Sequence, residues 1–442
     1  MDAERAARIL LRSSGLRRKT LRLSQNVRAA GGGKPPEPGE RKAMRKKLSL
    51  TNVNAIEIKD LKDLTPDNAS QDRLAPLHAR MMGLQQATVD SLRALEAFRH
   101  TQAWSFFRRP ATLVRKDTLL MAGKIERLDA RVGESEQAPQ TARSIITGAK
   151  GTGKSVLQLQ AMAMALQRGW IVVHIPDGNE ITIGHTAYEP ISTPDGVVYI
   201  QPQATAKLLS NVLNANRQLL MKLRVSQQHK LAVPLKENMT LAELVQLGAA
   251  QADLAWPVWK AFWTELSTPT DPKSGVERPK VLFTMDGIDH AMRESSYLDR
   301  LARPIHAHRL ALIKHFTSLL SGEVKLPNGG MIIGATSGSN RPQVPTFDIC
   351  LAKDEARRKL SSTGLWSPFI AHDKLVQQVM RTVDVWYLDG IDRPEARGII
   401  DYYAQSGMLR DTVTDNLVSE KWAIAGRGII GEIERATIRM RV

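Results

Sequence analysis

Residues Gly148, Ala149, Lys150, Gly151, Thr152, Gly153, Lys154 and Ser155 read GAKGTGKS. Residues of these types at this spacing suit a phosphate. Glycines let backbone N–H groups turn toward an anion and let it approach where a side chain would collide. Lys154 would reach the β and γ phosphates of a nucleotide, and the Ser155 hydroxyl would ligate Mg²⁺. A helix beginning at this point adds about half a positive charge in the same place.

A second group supports the first. Val281 to Asp289 reads VLFTMDGID, an apolar run that leads to Asp286 at the carboxyl end of a strand. A carboxylate there meets the magnesium of the loop, directly or through water. The predicted metal set is therefore Ser155 and Asp286. Turnover is another matter, because many ATPases follow this aspartate with a glutamate that activates water, and here Gly287 follows. Asp289 could stand in only if the turn carried it close to the γ phosphate; the preferred reading makes it solvent-facing or helix-capping. Thr336, beside Ser337 at the end of a later strand, is the other candidate for sensing the γ phosphate or holding water. Hydrolysis is expected to be slow or absent, with the nucleotide chiefly structural. There is no N-K-x-D sequence, so the guanine-selecting motif of small GTPases is missing. His306 and His308, two apart on an expected helix, point to different faces and make no zinc site.

Positioning this chemistry requires strands before both groups and a helix after the loop. Ser144 to Thr147 is a short β-branched run ahead of the loop, and Ser155 to Arg168 continues as a helix. Trp170 to Pro176, Lys280 to Met285 and Met331 to Ala335 read as further buried strands. Continuous apolar runs alternating with helices predict an α/β fold, a parallel sheet covered on both faces. Between the second and third strands an insertion of helices and loops is expected, with Trp256, Trp259 and Trp263 on one core-facing helix side. Leu77 to Leu128 reads as helices with no catalytic spacing. Beyond Arg341 the pattern turns helical over Asp373–Thr382, Arg393–Ser406, Thr412–Ala423 and Gly428–Met440, with an edge strand at Val383–Tyr387. The domains predicted are a transit-like segment and basic arm over 1–75, a helical extension over 76–140, the P-loop nucleotide-binding domain over 141–345, and a smaller C-terminal helical domain over 346–442.

Charge and composition narrow the partners. Of 442 residues, 62 are Lys or Arg and 45 Asp or Glu, leaving +17 and calling for a polyanionic partner. Residues 1–60 hold 15 basic and 6 acidic side chains, so +9 of that charge sits in an N-terminal arm. Its first 30 residues, rich in arginine and leucine, suit a mitochondrial transit peptide. Gly31 to Glu40 reads as a linker, and Arg41 to Lys47 as a second basic cluster, either a solvated stretch or a phosphate-contacting arm. No apolar run approaches the roughly 20 residues of a membrane span. The single cysteine, Cys350, excludes an internal disulfide and a Cys-rich metal site, and reads as a buried inert thiol.

The chain resembles the death-associated protein three family, P-loop proteins of the mitochondrial ribosomal small subunit, in its fungal-type form. The matching residues are Gly148–Ser155, the MDGID sequence Met285–Asp289, SGMLRD at Ser406–Asp411 and EKWAIAGRGIIGEIER at Glu420–Arg435. That resemblance implies an AAA-like P-loop NTPase fold, binding of GTP or ATP or the diphosphate with Mg²⁺, and residence in the mitochondrial matrix within the ribosomal small subunit. Small-subunit rRNA and neighbouring ribosomal proteins would be the partners. Where the family often has a run of glycines, this sequence has Gly426, Arg427 and Gly428. Two functions follow: a ribosomal component with a structural nucleotide, or an active ATPase or GTPase switch in assembly or cell-death signalling.

Overall fold

A small mixed sheet forms first along the chain, from β1 (Asp63–Leu64), β2 (Met81–Leu84) and β3 (Ala111–Leu113), with β1 and β2 parallel and β2 and β3 antiparallel. In the computed structural model the described residues are 48–129, 140–194, 196–270, 276–359 and 372–439. The transit-like stretch, the linker and the Arg41–Lys47 cluster lie outside them. Leu77–Leu128, expected to be helical, carries β2 ahead of helix Gln86–Ala94 and β3 between that helix and helix Lys116–Asp129. MMGL and ATL are too short to show a period of two against the helical pattern around them. Leu92, Leu95 and Phe98 are nevertheless all buried, as their spacing predicts.

The central sheet is built from β4 (Thr141–Thr147), β5 (Ile171–Ile175), β8 (Val281–Asp286), β11 (Gly330–Ala335) and β12 (Asp384–Tyr387), counting in chain order the hairpin strands β6 (Glu189–Thr193) and β7 (Gly196–Ile200) and the pair β9 (Glu294–Leu298) and β10 (Pro304–His306). All five central strands run parallel in the order β12-β4-β11-β8-β5. The expected α/β sheet is thus present, and the expected edge strand is β12.

Successive side chains of these strands face opposite ways, and each face has its own core. Ile145, Val173, Phe283 and Ile332 join one buried cluster, whereas Ile146, Val172, Leu282 and Ile333 join another. Their apolar continuity follows from this two-sided burial. The insertion between β5 and β8 supplies helices Pro202–Ala215, Leu241–Ala250 and Ala252–Leu266 to the first cluster. Trp259 and Trp263 are buried there against Phe283 and His315, and Trp256 is partly buried beside them. A third cluster joins Phe107, Ala111 and Leu113 of the N-terminal segment to Ile399, Tyr402, Tyr403 and Ile433 of the C-terminal helices. Those helices span Lys374–Met380, Arg393–Gln405, Asp415–Ile424 and Ile430–Thr437, close to the predicted ranges.

Two local expectations change. His306 ends β10 and His308 lies in a 3-10 turn, so neither is on a long helix, and their rings meet edge to face at 4.7 Å. Cys350 is only part-buried, on helix Pro345–Arg358, and that burial raises its thiol pKa, which keeps it in the unreactive protonated form. Among the described residues no helix is long and apolar enough to cross a membrane.

Candidate functional site

The loop Gly148–Gly153 leaves the end of β4 and enters helix Lys154–Gln167. Gly148 has φ of 150°, and a Cβ there would stand 2.3 Å from the Leu388 carbonyl oxygen, so only glycine fits. Beneath the loop, buried Gln158 donates to the carbonyls of Met285 and Ile333, tying the helix to the ends of β8 and β11.

Lys154, Ser155 and Asp286 converge. Lys154 is 6% exposed, and its Nζ donates to the Gly148 and Ala149 carbonyls at 2.9 and 2.8 Å. Burial lowers its pKa, and the Asp286 charge opposes that shift. Ser155 Oγ donates to Asp286 Oδ2 at 2.7 Å, while Gly287 N–H donates to Asp286 Oδ1 at 2.9 Å. A hydroxyl and a carboxylate are the hard oxygen donors that Mg²⁺ takes, so this pair fits that metal.

Asp289 is not solvent-facing. It is fully buried, because Gly287 at φ 71° turns the chain back beneath the end of β11. Its Oδ1 accepts the Ser337 N–H at 2.8 Å, Oδ2 has no hydrogen-bond partner among the described residues, and burial raises the carboxyl pKa. Thr336 is 1% exposed; its N–H donates to the Ile146 carbonyl and its hydroxyl lies 3.4 Å from that of Thr147.

Three arginines and one turn complete the site without any sequence signal of their own. Arg99 pairs with Asp286 Oδ2 at 2.8 Å. Arg115 donates to the Thr152 and Asp389 carbonyls, both at 2.9 Å, and pairs with Asp117. Arg341 places its charge within reach of both Lys154 and Asp289. The first turn of helix Ile430–Thr437 lies on the loop, with Gly431 N–H donating to the Gly151 carbonyl. Elsewhere, His78, Asp392 and Glu395 gather three metal-capable side chains, but Asp392 and Glu395 form the capping box of helix Arg393–Gln405.

A glycine-rich loop joining the second strand of a five-stranded parallel sheet to a helix, with a carboxylate two strands away, defines an α/β protein of P-loop-like fold. The chain belongs to the mitochondrial ribosomal death-associated protein 3 family, which matches residues 112–436. It is 39% identical over 410 residues to the small ribosomal subunit protein mS29 of Neurospora crassa, covering 92% of this chain and 84% of that protein. With the mS29 of Schizosaccharomyces pombe it shares 23% over 348 residues, 76% of this chain and 67% of that one. A solved structure of the Aeropyrum pernix ORC2 protein in ADPNP-ADP complexes aligns over 73% of this chain and 61% of that chain, at 15% identity and a TM-score of 0.34. The family and the mitochondrial ribosomal location expected from the sequence both hold.

Proposed function

We propose that this protein is a structural component of the mitochondrial ribosomal small subunit that holds a purine nucleotide, GTP or ATP or its diphosphate, with Mg²⁺ at Gly148–Ser155, and turns it over slowly or not at all. One observation carries the reading: Lys154, Ser155 and Asp286 meet at one end of the sheet, while the residue after Asp286 is a left-handed glycine with no base. Lys154 would leave the loop carbonyls for phosphate, and Ser155 and Asp286 would hold the metal. When bound, the metal neutralises charge on the β and γ oxygens. The strand order, with β11 between β4 and β8, supports an AAA-like assignment. Residues 141–345 then form the nucleotide-binding domain, the 76–140 and 346–442 segments flank it, and 1–75 serve as import segment and arm.

The +17 charge suits contact with small-subunit rRNA and its neighbouring proteins. Co-sedimentation with mitochondrial small subunits, followed by extraction of bound nucleotide and a single-turnover assay, tests the whole reading. Protein absent from the subunit, or extracted without nucleotide, refutes it. A second reading, a turning-over switch with Asp289 as base, is favoured by that side chain's burial and its unpartnered Oδ2. Rapid single-turnover hydrolysis abolished by Asp289→Asn would establish the switch instead.

A further inference from the structure

Both oxygens of Asp286 are already engaged. Oδ1 accepts from Gly287 N–H at 2.9 Å, and Oδ2 accepts from Ser155 Oγ at 2.7 Å and from Arg99 Nε and Nη2 at 3.2 and 2.8 Å. Arg99 is held from a second strand as well, since Nη2 also donates to the Pro176 carbonyl just past β5, and Nη1 stands 4.0 Å from Asp177 Oδ2. Its guanidinium therefore bridges the carboxyl ends of β5 and β8, fixed on the carboxylate offered to the metal.

A divalent cation that draws on Asp286 meets a carboxylate neutralised by a guanidinium on the same oxygen. Two effects follow. The carboxylate gives up less to the metal, and the metal and guanidinium repel across a few ångströms in a partly buried site, where such terms are much larger than in water. Arginine cannot relieve this by losing its proton. It can, however, offer its remaining N–H groups to a phosphate, as a metal would offer its charge.

We propose that Arg99 is a positioning residue that serves as the resident cation of the metal position, so that nucleotide is retained with only weak dependence on Mg²⁺. This rests on the nucleotide reading and deepens it: the polyphosphate charge is met chiefly by Lys154 and Arg99, and Mg²⁺ competes with a built-in cation instead of completing the site.

Fluorescent mant-GDP and mant-ADP binding to the full chain, in EDTA and across a Mg²⁺ titration, tests it on wild type, Arg99→Gln and Arg99→Lys. Wild-type affinity should change less than about tenfold between EDTA and saturating Mg²⁺. Arg99→Gln should lower the Mg²⁺ concentration at half-maximal binding by about tenfold or more, the effect of removing one charge a few ångströms from the metal. Arg99→Lys, which keeps the charge, should stay near wild type. An unchanged Mg²⁺ midpoint in Arg99→Gln, with affinity lowered equally in both media, would mean a merely structural arginine and would overturn the inference alone. Should Arg99→Gln not fold, the wild-type comparison decides, since a larger Mg²⁺ dependence than stated overturns it. Wild type that binds neither probe in either medium overturns the nucleotide reading itself, and this inference with it.

Discussion

Gly431 N–H donates to the Gly151 carbonyl at 2.9 Å, and a Cβ at Gly431 would stand 3.2 Å from the Gly151 Cα. The phosphate loop and the C-terminal turn thus meet backbone to backbone. Ile429 and Ile430 flank the contact, over Gly151 and Gly153. Gly431→Val should therefore push the turn off the loop, costing about 1–3 kcal/mol as overpacking does. Nucleotide dissociation should quicken as the melting temperature falls. A variant with wild-type release and stability would show that the turn does not support the loop.

Lys154→Ala removes the side-chain cation that the loop aims at phosphate. A charge-assisted contact of this kind is worth about 2 kcal/mol or more, so affinity should fall at least about thirtyfold. Nucleotide extracted from the purified variant, set against its melting temperature, separates lost binding from lost fold. Full occupancy would place the site elsewhere.

Gly287→Glu should not create an ATPase. At φ 71° a side chain is strained, and its Cβ would stand 3.3 Å from Asp177 Oδ1, which places a third carboxylate beside Asp177 and Asp286. A cost of about 1 kcal/mol or more is expected from the backbone alone. Thermal unfolding measures the loss, and single-turnover hydrolysis should remain as slow as in wild type. A faster, stable variant would contradict the geometry.

His174, His308 and His315 are buried, and burial pushes their pKa values from 6.5 down to about 4, about 3 and about 4. With the folded pKa depressed, the unfolded chain binds more protons below 6.5. Stability is then whole above that pH and is lost as pH falls toward 4, by up to about 1.4 kcal/mol per unit for each histidine. Denaturant titrations at neutral and mildly acid pH should show the decline. His315→Phe, placed among Trp259, Trp263 and Phe283, should reduce its slope. Equal stability across that range would refute the assignment.

The loop, Asp286 and all five central strands, β12 as the expected edge strand, were legible in the sequence because each is a contiguous signal: a fixed spacing, or an apolar run that needs no partner to be seen. The C-terminal helices were legible through their periodicity. Arg99 was not, since nothing near it in sequence announces an ion pair with Asp286. The burial of Asp289 also escaped, because it depends on the left-handed φ of Gly287. Short β2 and β3 were hidden by the helical pattern around them, and the contact of Gly431 with Gly151, 280 residues apart, exists only once the C-terminal helices have packed.

The position of β12 bears on the order of events as the chain folds. Asp384 to Tyr387 pair with Ser144 to Thr147, the strand that carries the loop. Until that late segment is available, the outer edge of β4 presents unpaired N–H and C=O groups, open to any extended strand nearby. Pairing so distant in sequence is slow to form, because a long loop must close first. The loop at Gly148 is therefore set only once β12 is in place, and a protein stalled short of β12 would expose a sticky strand and invite aggregation.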